Sequence, residues 1–157
     1  MSSPSPYRPP EAPVADQDRP RGSPVKGMIF GALVDIGGTL VAGLALGVVW
    51  SIYLAANGAN LEEIQELTQN PDPLSTISIL GYLMGTGFSV LGGYVCARVA
   101  RETELRCAGV VAVISIAFGF LAGGGATIVM AILMVATTIA AVMYGAWLGK
   151  QRNDRQP

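Results

Sequence analysis

The sequence predicts an all-α integral membrane protein, a four-helix bundle with both termini in the cytoplasm. Three observations support this fold class. Hydrophobic residues make up 51% of the chain and charged residues only 13%, whereas about 25% of residues in ordinary soluble domains are charged. Three long apolar blocks, 28–56, 74–97 and 107–149, contain a single charged residue, Asp35. All Lys and Arg residues fall on one side of the arrangement that these blocks predict.

The first 23 residues predict a disordered cytoplasmic tail. They hold most of the prolines among Ser, Asp and Arg, a composition that cannot bury enough apolar surface to offset the entropy of ordering. The run 6–10 also fits a polyproline ligand for a partner groove, although a solvated tether is the simpler interpretation. Ser23 and Pro24 then predict a helix start, because an N-cap serine precedes proline at the first helical position.

The apolar blocks predict the limits of the membrane spans. A spanning helix needs about 20 apolar residues, so we expect spans at 28–56, 74–98, 105–122 and 126–149. The third block is long enough for two spans if Gly123, Gly124 and Gly125 form a turn, since consecutive glycines are costly to order in a helix. The bundle therefore occupies residues 24–149.

Capping residues place the remaining helix ends. Asp72 and Pro73 repeat the cap-then-proline pattern before the second span, and Thr103 can cap the third. The outer loop 57–73 contains Asn60 and Glu63 in a capping-box spacing, which predicts a short amphipathic helix on the outer surface. An acidic connecting loop is the alternative interpretation of this segment. Residues 150–157 are predicted to be a cytoplasmic tail.

Charge fixes the predicted orientation. The outer loop contains acidic residues but no Lys or Arg. The positive-inside rule therefore places the opposite side, with both termini, in the cytoplasm. The basic residues on that side are Arg8, Arg19, Arg21, Lys26, Arg98, Arg101, Arg106, Lys150, Arg152 and Arg155.

Asp35 is the first candidate for a functional residue. It lies about eight residues, or roughly 12 Å, past the inner interface, where a carboxylate costs several kcal/mol unless it is paired, hydrated or protonated. Its helical neighbours Gly31, Ala32, Gly38 and Thr39 are small. That face should pack against the other helices of the bundle.

Two roles for Asp35 are open at this point. In the structural interpretation, which we prefer, Arg98 reaches inward from the second span and forms an ion pair, or the carboxylate is hydrated near the interface. In the functional interpretation, Asp35 binds a proton or a cation during transport.

Glycines four residues apart occur in every predicted span and indicate close helix packing. Some of these pairs are expected by chance. Packing within one bundle is the preferred explanation, and a homodimer interface is the other. The candidate packing residues are Gly31, Gly38, Gly43, Gly47, Gly81, Gly85, Gly119, Gly123, Gly145 and Gly149.

Several kinds of chemistry have no support in the sequence. There is no His, no nucleophile elbow and no phosphate-binding loop, so we expect neither an enzyme nor a metal or cofactor site. Cys96 and Cys107 are expected to be reduced and to behave as small apolar residues. The basic residues flank the spans, which favours anionic lipid over nucleic acid as their partner.

The run Gly92-Gly93-Tyr94-Val95-Cys96-Ala97-Arg98-Val99-Ala100-Arg101, followed by Leu105-Arg106 and a new apolar span, resembles uncharacterised small four-span bacterial inner-membrane proteins. This resemblance implies a compact helical bundle in the bacterial inner membrane. Small multidrug resistance transporters offer an analogy, because they also have four short spans and an acidic residue in the first.

Together these features predict a non-enzymatic structural or interaction component of the membrane. Its expected partners are membrane lipids and either a second copy or another membrane protein. The alternative is a small proton-coupled transporter or channel subunit that uses Asp35.

Overall fold

The computed structural model describes residues 22–69, 72–122 and 128–155. The regular elements that these residues form are all helices, with no strand among them. The helices are α1 (Pro24–Ala56), α2 (Leu61–Gln69), α3 (Thr76–Ala100), α4 (Glu104–Ala122) and α5 (Ile128–Asp154). Four of them, all except α2, are long and apolar enough to cross a membrane. The all-helical fold with four candidate spans is confirmed.

Two of the predicted helix starts carry the capping bonds that the sequence indicated. Ser23 precedes α1, and its side chain accepts a hydrogen bond from the backbone N–H of Lys26 at 3.4 Å. Before α2, the Asn60 side chain accepts from the Glu63 N–H at 2.9 Å, and the Glu63 carboxylate accepts from the Asn60 N–H at 3.0 Å. This reciprocal capping box stabilises α2 as a helix, in agreement with the first of the two interpretations of the loop.

The second span begins later than the sequence suggested. Asp72 does not cap it; its carboxylate accepts from the Leu74 N–H at 2.9 Å and closes a turn instead. Ser75 is the N-cap, with its hydroxyl 3.4 Å from the backbone nitrogen of Ser78. The helix therefore starts at Thr76 and ends at Ala100, slightly beyond the predicted end at residue 98.

The last helix extends beyond its predicted end at Gly149 and reaches Asp154, so the segment predicted as a tail begins as helix. No Gly or Pro follows Gly149 before residue 155 to stop it. The extension is useful because it brings Asn153 against α3 and α4. The predicted glycine turn at 123–125 and most of the predicted tail at 1–23 lie outside the described residues.

The buried core lies at one end of the bundle. We call it the basal end; α1 and α4 begin there, and α3 and α5 end there. It consists of small side chains, which let helix backbones approach closely without the large side chains of a soluble core. The core residues are Cys96, Ala97, Ala100, Cys107, Ala108, Val111, Ala112, Val142 and Ala146.

The opposite, distal end of the bundle exposes apolar side chains. Along α1 these include Val41, Leu44, Val48 and Ile52. Exposed apolar surface of this kind is what a lipid environment accommodates. The buried core cluster, which lies at the basal end, is what distinguishes the basal half from the distal half. The basal half is therefore the part of the fold that can hold side chains in fixed positions.

Candidate functional site

Asp35 lies in a π-helical segment, Leu33–Gly37, within α1. Such a segment holds one more residue per turn than an α-helix and is frequent at functional sites. It places the Asp35 side chain between α1, α3 and α4, where only 3% of the residue is exposed. The sequence prediction that this residue faces the other helices agrees with its position.

Both carboxylate oxygens of Asp35 accept a hydrogen bond from a serine on another helix. The Ser89 hydroxyl on α3 donates to Oδ1 at 2.8 Å. The Ser115 hydroxyl on α4 donates to Oδ2 at 2.5 Å. Three candidate spans therefore meet at one carboxylate, and we call Asp35, Ser89 and Ser115 the three-helix joint.

The backbones of α1 and α3 approach closely beside this joint. A Cβ atom built on Gly92 would lie 2.7 Å from both the Asp35 Cβ and the Gly31 carbonyl oxygen. A Cβ on Gly31 would lie 2.7 Å from the Cys96 Cβ. Since real Cβ atoms do not approach so closely, the absence of side chains at Gly31 and Gly92 is what allows α3 to reach Asp35.

Arg98 belongs to a different group of polar residues. Its guanidinium donates to the Asn153 side chain at 3.0 Å. The Asn153 amide nitrogen in turn donates to the Ala97 carbonyl oxygen at 2.9 Å and to the Glu104 carboxylate at 3.2 Å. We call Arg98, Glu104 and Asn153 the basal joint, because they connect α3, α4 and α5 at the basal end.

The ion pair between Asp35 and Arg98 that the sequence suggested is not formed within residues 22–69, 72–122 and 128–155. Ser89, which lies level with Asp35, precedes Arg98 by nine residues, or about 13 Å along a helix. The arginine side chain extends toward the basal end, where its charge is nearest to water. The two charged residues of the candidate site therefore serve separate joints.

The candidate packing glycines differ in how closely other atoms approach them. A Cβ on Gly145 would overlap the Val90 carbonyl, one on Gly149 would lie 2.8 Å from the Ala97 Cβ, and one on Gly38 would overlap the Phe88 ring. With Gly31, these glycines lie at close contacts between helices. Gly81 and Gly85 have ordinary contacts, at 3.7 Å from side chains of α1.

Three of the other candidates have no close neighbour in the described part of the chain. Gly43, Gly47 and Gly119 have nothing within 4 Å of a built Cβ, because they lie in the open distal half. Gly123 lies outside the described residues. The pattern missed Gly93, where a Cβ would overlap the Val142 carbonyl. Spacing alone did not identify the packing glycines because it carries no information about which helix face meets a neighbour.

No protein-family model, curated protein or solved structure matches this chain. Within the described part of the chain, no cluster of His, Cys, Asp or Glu is arranged to hold a metal ion. Cys96 and Cys107 are free and buried. The three-helix joint links three candidate spans through one carboxylate.

Sequence reasoning found Asp35 but not its two partners. Ser89 and Ser115 are isolated polar residues within otherwise apolar spans. A hydroxyl in a membrane helix satisfies its hydrogen bond either on its own backbone or across to another helix. A buried carboxylate needs hydrogen-bond donors. Serines in the other spans were therefore the sequence signal that could have identified the partners of Asp35.

Proposed function

We propose that this chain is a non-enzymatic structural or interaction component of the bacterial inner membrane. The observation that carries the proposal is the engagement of both Asp35 oxygens by Ser89 and Ser115 from two other helices. A carboxylate held in this way links helices, because each of its oxygens accepts a hydrogen bond from a different neighbouring helix. The basal joint supports the same role, since Asn153 contacts Ala97 and Glu104 on two neighbouring helices.

The proposed orientation has the basal end and both termini in the cytoplasm. The described basic residues near helix ends lie at the basal end, whereas α2 and the segment around it carry Glu62, Glu63, Glu66 and Asp72. The positive-inside rule favours this orientation. The distal apolar surface of α1 would then lie in the outer half of the bilayer, in contact with lipid, a second copy or another membrane protein.

A small proton-coupled transporter or channel subunit is the second candidate. Two observations favour it: no basic residue pairs with Asp35 within the described residues, and Asp35 lies in a π-helical segment. An exposed fraction of 3% argues against it in this arrangement, because a transport site must open to water on at least one side. Transport would require α1 to move away from α3 or α4.

Thermal melting of the purified Asp35→Asn variant separates these two functions. If Asp35 is a structural link, an amide cannot replace the charge-assisted hydrogen bonds and the melting temperature should fall. If Asp35 serves transport, removal of a buried charge should leave the melting temperature unchanged or raise it. A suitable control is Asp154→Asn, since Asp154 is exposed at the end of α5.

Photo-crosslinking in native membranes tests the interaction part of the proposal. A crosslinking side chain at Val48, which is 59% exposed on the distal half of α1, should give an adduct of one discrete protein mass. The same group at Val142, which is fully buried, should give none. Lipid adducts alone at Val48 would count against a protein partner on this face while leaving the structural role in place.

A further inference from the structure

Ser89 and Ser115 differ from other hydroxyl residues in the spans. Ser51, Thr86 and Thr137 each donate to the carbonyl oxygen four residues earlier in their own helix, at 2.8, 2.8 and 2.7 Å. That local bond is the usual arrangement where no water is at hand. Ser89 and Ser115 donate to Asp35 instead. Each of them therefore keeps a second acceptor one helical turn away, and the joint has more than one satisfied arrangement.

The carboxylate of Asp35 has no counter-charge at hand in the described residues. Its donors are two neutral hydroxyl groups. Neutral hydrogen bonds offset only part of the cost of burying a charge in a low-dielectric interior, and one bound proton removes that charge. The other titratable or charged side chains of the helices around it, none of which hydrogen-bonds to Asp35, are Lys26, Tyr53, Tyr82, Tyr94, Cys96, Arg98, Arg101, Glu104, Arg106 and Cys107.

The geometry suits a proton better than a metal ion. A hard cation takes about six oxygen ligands, whereas the joint supplies the two Asp35 oxygens and two serine oxygens. Gly92 already lies against the Asp35 Cβ, and the residue is almost wholly buried, so there is little room for further ligands. A proton needs no added volume.

We propose that Asp35, Ser89 and Ser115 form a proton-binding site that changes the links between three spans. One proton from water binds a carboxylate oxygen of Asp35. The resulting O–H donates to the hydroxyl oxygen of one serine. That serine then turns its own O–H to the carbonyl four residues earlier, which is Gly85 for Ser89 and Val111 for Ser115.

The two protonation states differ in how they hold the helices. In the carboxylate state, α3 and α4 both donate to α1. In the protonated state, one of these bonds reverses and the carboxyl group no longer attracts donors as a charge does. The strength of the three-helix joint thus depends on proton concentration. This inference rests on the proposed structural function.

Infrared spectroscopy of the full-length protein in lipid nanodiscs tests this site. We expect a band of a protonated carboxyl group that disappears as the pH is raised. The band should be absent from Asp35→Asn and should remain in Glu104→Gln, the matched control, because Glu104 is the other buried carboxyl residue among those described. A pH-dependent carboxyl band that is identical in the wild type and in Asp35→Asn overturns the proposal, because such a band belongs to the other Asp and Glu residues of the chain. The absence of any such band overturns it as well.

Ser115→Ala keeps the test decisive if Asp35→Asn does not fold. Since the serine hydrogen-bonds to the carboxyl group, its removal should shift the frequency of the Asp35 band, whereas Ser51→Ala should not. An unshifted band in Ser115→Ala overturns the assignment. The melting temperatures of the same variants test the proposed structural function separately. An unchanged melting temperature would contradict that function.

Discussion

The hydroxyl of Ser115 donates to the carboxylate of Asp35 from a position 80 residues later in the chain. The bond joins the third candidate span to the first, and Ser89 adds the second span at a separation of 54 residues. A link of this length forms only when α1, α3 and α4 have packed together. It therefore reports on tertiary packing of the bundle rather than on the formation of single helices.

Asp35 and Arg98 should contribute independently to stability, because they belong to different joints. We expect Asp35→Asn and Arg98→Gln each to lower the free energy of unfolding, and the double variant to lose the sum of the two within about 0.5 kcal/mol. Unfolding in mixed detergent micelles measures all three. A double variant that recovers much of the loss would instead indicate an ion pair between the two residues.

Gly92→Ala should be strongly destabilising, whereas Gly87→Ala on the same helix should not. A methyl group at Gly92 would overlap Asp35 and Gly31, and overpacking of this kind costs about 1–3 kcal/mol or more. At Gly87 nothing lies within 4 Å of a built Cβ. Melting temperatures of the two variants provide the comparison, and equal effects would contradict the close approach of α1 and α3.

Asn153→Ala should loosen the basal end of the bundle. Asn153 makes hydrogen bonds to Arg98, Ala97 and Glu104, and its loss leaves the buried Glu104 with one hydrogen-bond donor fewer. We expect a cost of about 1–3 kcal/mol and faster hydrogen exchange at the end of α3. Asp154→Ala, one residue further, is the exposed control and should behave as the wild type.

Topology reporters should place the basal end in the cytoplasm. Fusions after Gly149 and within 99–106 should report cytoplasm, and a fusion within 58–70 should report the outside, since basic residues are retained on the cytoplasmic side. Opposite reporting at the C-terminal fusion would contradict four membrane crossings.

The four candidate spans and the capping box of α2 followed from the sequence because they depend on local features. Apolar length determines a span, and Asn60 and Glu63 cap a helix within one turn. Asp35 could also be placed, since a charge in an apolar block must avoid lipid.

The partners of Asp35 could not be predicted, because they depend on which helix faces meet. Ser89 and Ser115 are 54 and 80 residues away. The π-helical segment alters the helical phase near Asp35, which a regular 3.6-residue period does not anticipate. Helix facing also explains Gly43 and Gly47, whose spacing suggested packing although no atom of the described residues lies within 4 Å of a Cβ built on them.

The most direct test of the three-helix joint is a double-mutant cycle between Asp35→Ala and the combined Ser89→Ala and Ser115→Ala substitutions. In the wild-type background, we expect loss of both serines to lower the free energy of unfolding by about 1–3 kcal/mol. In the Asp35→Ala background, the same substitutions should cost less than about 0.5 kcal/mol, because the serines then bond to their own backbones. Equal costs in the two backgrounds would contradict the joint.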